Sequence, residues 1–157
     1  MSSLNIATAI FASLSFGLLL AALASDYWVE ASDHSGLWQF CKGLTCWSYG
    51  MDVHGYIHAT RAFLLMGSIA GAVSFFSLWA LFCHSYIGSV SLAKIAAIAS
   101  LVAGLCALTA MSIFTGVYDS RFTVGHYGWS LGVGWASGPL FLLTGGLAFQ
   151  IQTGRAM

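Results

Sequence analysis

Cys41 and Cys46 lie five positions apart in a segment rich in aromatics. Joined as a disulfide they would close a small ring, which needs an oxidising compartment. Such a bond contributes about 2 kcal/mol in the chain-entropy model, and it would hold the register of a local hairpin. Four of the five histidines, His34, His54, His58 and His126, fall near the same segments, and imidazole is a good zinc donor. Only His54 and His58 have an i, i+4 spacing, with Gly55 between them, so no metal or other cofactor is expected. Ser130 and Ser137 sit near glycines without a nucleophile-elbow context. No paired carboxylates, phosphate-binding loop or dinucleotide pattern is present, and no catalytic residue is assigned.

The elements that must carry these residues follow from composition. The chain has 157 residues, of which 59% are hydrophobic and only 6% charged, with five Lys/Arg balancing five Asp/Glu. Soluble domains carry about 25% charged residues. Too few cations are present for a nucleic-acid footprint, and too few charges for a soluble surface, so an integral membrane protein remains. Four charge-free stretches, 6–24, 62–83, 95–118 and 129–149, are each about 19 to 24 residues long. At about 1.5 Å per residue each spans a ~30 Å hydrocarbon core. The prediction is therefore an all-α membrane fold over residues 1–157, a left-handed bundle of four transmembrane helices in one domain. A first loop of about 25–59 and a second of about 119–128 lie on one side, and a middle loop of about 84–94 lies with the termini. Ala22-Leu23-Ala24 resembles a signal-peptidase site. A leader without Lys or Arg and a long apolar run predict that residues 1–24 stay as the first helix. Lys/Arg counts orient the chain weakly. The cysteines place the loops outside the cell or in a lumen, and the termini in the cytosol.

The first loop holds a longer pattern. Trp28 is followed by Gly36-Leu37-Trp38, then Cys41 and Cys46. Strands over 36–41 and 45–49, joined by a turn at Lys42-Gly43-Leu44, suit the aromatics Trp38, Phe40, Trp47 and Tyr49. The second loop is a candidate to add an edge strand. This set, directly after a first span, resembles the claudin family in the broad sense, which includes claudins, peripheral myelin and epithelial membrane proteins, and the lens fibre membrane intrinsic protein. The resemblance runs over essentially the whole chain. His58-Ala59-Thr60-Arg61-Ala62-Phe63 and Phe114-Thr115-Gly116-Val117 resemble the lens fibre protein. Gly55-Tyr56-Ile57-His58 with His34-Ser35-Gly36-Leu37-Trp38 equally resembles the natural killer cell granule protein, whose pattern lacks the cysteine pair. Trp129-Ser130 followed by Gly134-Trp135 resembles the family's approach to the fourth helix.

The resemblance implies a non-enzymatic structural component of cell junctions, associating in cis and through its loops in trans. A regulatory protein of vesicles or cytotoxic granules, and a channel-modulating subunit, are its alternatives. Expected partners are the lipid bilayer, further copies of the chain and other membrane proteins, with no nucleic acid. Gly154-Arg155-Ala156-Met157 offers no PDZ-binding tail.

Single residues carry narrower expectations. Trp28, Trp38 and the disulfide form a cap at the membrane surface, which also suits partner recognition. Arg61 either snorkels to the headgroups or fixes loop to bundle through carbonyls or Asp26. Leu44, Trp47 and Phe122 are candidate contact tips, and Cys83 is a candidate for palmitoylation. Small residues, including Gly67, Gly71, Ala93, Ala96, Ala97, Ser100, Gly104, Gly134, Gly138, Gly145 and Gly146, predict close helix packing.

Overall fold

A computed structural model describes residues 3–25, 28–30, 34–42, 45–48, 55–83, 86–87, 90–121 and 126–156. Among the described residues four helices dominate: α1 (Ser3–Ala24), α2 (Gly55–Ala80), α3 (Leu92–Arg121) and α4 (Trp129–Ala156). They hold 22, 26, 30 and 28 residues, and each is long and apolar enough to cross a membrane. In a bilayer every backbone polar group must be satisfied within the segment, which a helix does by itself. The helices outrun the charge-free stretches, by three residues at the start of α1 and α3 and by seven at the start of α2. A charge ends an apolar run but leaves the hydrogen-bond ladder intact, so Arg61, Lys94 and Arg121 are helical. At its other end α2 stops short of the expected boundary, and residues 81–83 form a turn closed by Cys83 N–H donating to the Ala80 carbonyl at 2.9 Å. Pro139 lies inside α4, exposed on its outer surface.

Among the described residues, seven short strands complete the fold: β1 (Val29–Glu30), β2 (His34–Ser35), β3 (Gln39–Lys42), β4 (Thr45–Ser48), β5 (Tyr86–Ile87), β6 (Val90–Ser91) and β7 (His126–Tyr127). Five form one antiparallel sheet in the order β4-β3-β2-β1-β7. The expected hairpin is β3–β4, shorter than anticipated because Gly36 to Trp38 leave the ladder to meet the bundle. The second loop does add an edge strand, β7, beside β1. Strands β1 and β2, and the β5–β6 hairpin at the opposite end of the bundle, have two residues each and carry no period that sequence could reveal.

Small side chains set the helix spacing. Ala93, Ala96, Ala97, Ala103, Ala107 and Ala110 are buried along α3. Gly104 and Gly138 face one another between α3 and α4. A Cβ on Gly104 would stand 3.0 Å from the Gly138 carbonyl oxygen, and one on Gly138 would stand 2.6 Å from Leu108. Gly71 makes room for the ring of Phe141, which a Cβ there would meet at 2.8 Å. The Ser74 and Ser100 hydroxyls hydrogen-bond across α2 and α3, so their burial leaves neither unsatisfied. Gly146 departs from the pattern: it is exposed, with open space around it.

Gly104→Leu should lower the thermal unfolding midpoint in detergent, because overpacking against a backbone carbonyl costs about 1–3 kcal/mol. Gly132→Ala, where nothing lies within 4 Å, should leave it unchanged. Equal effects from both would show that close α3–α4 approach is not limiting.

Candidate functional site: the junction of sheet and bundle

The residues of the Trp28/Gly36-Leu37-Trp38/Cys41/Cys46 pattern converge where the sheet meets the helices. The end of α1 explains why. A helix leaves its last four carbonyls without intrahelical partners, and a membrane interface offers limited water to replace them. Ser25 N–H donates to the Ala21 carbonyl at 3.0 Å. The Trp28 indole Nε1–H donates to Ala22 at 2.6 Å, and the Trp38 indole Nε1–H donates to Leu23 at 3.0 Å. Two tryptophans thus cap the helix. A buried indole needs an acceptor for its one donor, so the ring and the helix end satisfy each other.

Trp28 is fully buried. Its backbone N–H donates to Ser35, and its carbonyl accepts from Gly128 N–H, both at 3.0 Å. Its ring lies edge-on to Phe114 of α3, centroids 4.9 Å apart, and Phe114 also packs on Tyr56 of α2 at 5.8 Å. Leu37 is buried in the same cluster, with Leu19, Leu64 and Met111. The Ser25 and Ser130 hydroxyls hydrogen-bond to each other, joining the end of α1 to the start of α4.

Arg61 lies under this cap and is only 4% exposed. Its Nε and Nη2 both donate to the Leu37 carbonyl, at 3.0 and 2.6 Å. Its guanidinium carbon sits 4.4 Å from the centroid of the Trp38 ring, a cation–π stack. Of the two roles open to Arg61 in the sequence, the geometry is that of the loop-to-bundle tie. Leu37 lies outside the strand ladder, so its carbonyl takes a side-chain donor in place of a sheet partner.

Cys41 is buried and joined to Cys46 by a disulfide that staples β3 to β4, where the two residues are register partners. Trp47, on edge strand β4, is 51% exposed. Cys83 is exposed beyond the opposite end of α2. Asp26, Leu44 and Phe122 lie outside the described residues. Sequence reasoning put Trp28 and Trp38 in a cap but missed the helix carbonyls their indoles meet, and the packing roles of Phe114, Tyr56 and Gly128. Its available signal was a pair of tryptophans within one short segment after a helix end, each with a donor to place.

Two substitutions test the junction. Arg61→Met removes both donors from the buried Leu37 carbonyl, and should destabilise by about 1–3 kcal/mol. Arg61→Lys should recover only part of this, since an ammonium lacks the planar fork and stacks less well. Unfolding midpoints in detergent report both, and wild-type stability in Arg61→Met would refute the tie. Replacing Cys41 and Cys46 together by Ser should cost about 2 kcal/mol, matched by reduction of the wild type.

The family profile described as PMP-22/EMP/MP20/Claudin matches residues 1–148. The chain is similar to Protein NKG7 of Mus musculus, 33% identical over 162 residues, covering 94% of this chain and 93% of that protein. It is likewise similar to Protein NKG7 of Homo sapiens, at 32% identity over 90% of this chain and 87% of that protein. Protein NKG7 of Bos taurus is 30% identical over 87% of this chain and 84% of that protein. This chain is a multi-pass membrane protein and belongs to the PMP-22/EMP/MP20/Claudin family.

Proposed function

We propose that the chain is a non-enzymatic regulatory protein of vesicle or granule membranes, acting through lateral protein partners. The observation that carries this reading is the likeness to NKG7 proteins across 87–94% of the chain. The loop motifs resembling the natural killer cell granule protein agree with it. The sheet faces the lumen, where the Cys41–Cys46 disulfide persists, and the termini face the cytosol. A sheet fastened by Trp28, Trp38 and Arg61 is a rigid platform, and the bilayer-facing side chains of the helices, such as Ile69 and Phe76, offer lateral surface.

Cell–cell contact is the second reading. It is favoured by edge strand β4, all of whose residues are exposed and which presents Trp47. Aromatic side chains at a sheet edge suit association by strand addition.

Localisation separates the two. A C-terminally tagged chain is expressed in cells lacking junctions, mixed with non-expressing cells. Vesicular signal without enrichment at contacts is expected. Enrichment only where two expressing cells touch would overturn the vesicle reading in favour of contact. In that case Trp47→Asp, and Leu44→Asp with Phe122→Asp, should abolish the enrichment while surface expression persists.

A further inference from the structure

The two halves of the Cys41–Cys46 disulfide stand in opposite surroundings. Cys41 is buried, on β3, with β2 on one side and β4 on the other. Cys46 is exposed, on β4 at the edge of the sheet. A disulfide is reduced when a thiolate attacks one of its sulfurs, so access decides whether exchange occurs and which sulfur leaves. Approach is open from the Cys46 side and closed from the Cys41 side. Exposed disulfides are also the labile ones, whereas structural ones resist reduction.

Position in the fold decides what exchange would change. Cys41 and Cys46 are register partners in the β3–β4 ladder, and β4 has no second strand neighbour among the described residues. The ties described above that fasten the sheet to the bundle lie elsewhere. They are the Trp28 and Trp38 indoles on α1, Arg61 on the Leu37 carbonyl, and the Gly128 N–H on the Trp28 carbonyl. None of them passes through the ring closed by residues 41 and 46. That ring is short, and the entropy a disulfide removes from the unfolded chain grows with ring size. Opening it therefore takes little from the fold as a whole.

We propose that this disulfide is a redox switch for the exposed tip of the sheet, opened by a thioredoxin-like dithiol while the cap on the bundle stays in place. One thiolate of the dithiol attacks the Cys46 sulfur, the S–S bond breaks, and the Cys41 sulfur leaves with the electron pair and takes up a proton. The second thiolate of the dithiol then attacks the mixed disulfide and releases Cys46, which is protonated in turn. The dithiol is oxidised to a disulfide and the chain is reduced to two thiols, so two electrons and two protons are transferred. Without the staple, β4 is held in the sheet by a ladder of four residue pairs, which is marginal alone. The exposed Trp47 lies on that strand. The switch thus sets whether the edge strand is a fixed surface or a mobile one. It takes its lumenal setting from the function proposed above, but its chemistry is tested on the purified chain, so either can fail without the other.

Full-length protein in nanodiscs is treated with N-ethylmaleimide to block the free thiols, then with a thioredoxin lacking its resolving cysteine. Mass spectrometry should place the trapped mixed disulfide on Cys46, at least tenfold over Cys41. Dithiothreitol without denaturant should then reduce the wild-type bond. Hydrogen exchange at the β3 and β4 amides should quicken at least tenfold, while the amides of α2 and α3 keep their protection. An adduct mainly on Cys41, a bond that yields only after the bundle unfolds, or loss of protection in α2 and α3 together with the hairpin would overturn the switch.

Discussion

The last turn of α1 presents backbone carbonyls at a depth where water is scarce. How they are satisfied shapes everything on the sheet side of the bundle. Trp28 and Trp38 donate to Ala22 and Leu23. Each must therefore return to the helix from the segment that follows, which draws the residues around Trp28 and Trp38 to the bundle mouth. That path places Leu37 in the core and leaves its carbonyl needing a donor, which Arg61 provides from α2. One requirement, that no buried backbone group stay unpaired, thus links α1, the sheet and α2.

The same economy runs through the bundle. Lipid tails are as apolar as leucine, so helices in a membrane associate by close packing and a few polar bonds. The Gly104–Gly138 approach and the Ser74–Ser100 bond supply both kinds of contact along α3. Larger apolar residues, Ile98, Val102 and Leu105 among them, are exposed on the outside of that helix, where lipid meets them. The sheet is stapled, capped and anchored by a buried arginine, so it can present a fixed face without reordering on binding.

Membership of the PMP-22/EMP/MP20/Claudin family and likeness to NKG7 proteins place this chain among compact four-span proteins. The disulfide and Trp47 sit on β3 and β4, at the edge of the sheet far from β7.

Sequence by itself determined the membrane class, the number of spans and the hairpin that Cys41 and Cys46 join. Those features follow from local quantities: runs without charge, aromatic content and the spacing of two thiols. The small-residue positions were also legible, because close packing demands little volume wherever helices cross. Helix limits were less so, since charge marks the edge of hydrocarbon and not the end of a hydrogen-bond ladder. The role of Arg61 was left open between headgroups and backbone, and its burial under Trp38 depends on where the chain after α1 travels. The partnership of Trp28 with Phe114 joins residues far apart in the chain, and so does the hydrogen bond between Ser25 and Ser130. Neither leaves a local trace, because a side chain's type says what it needs, and only the tertiary structure decides which distant group meets that need.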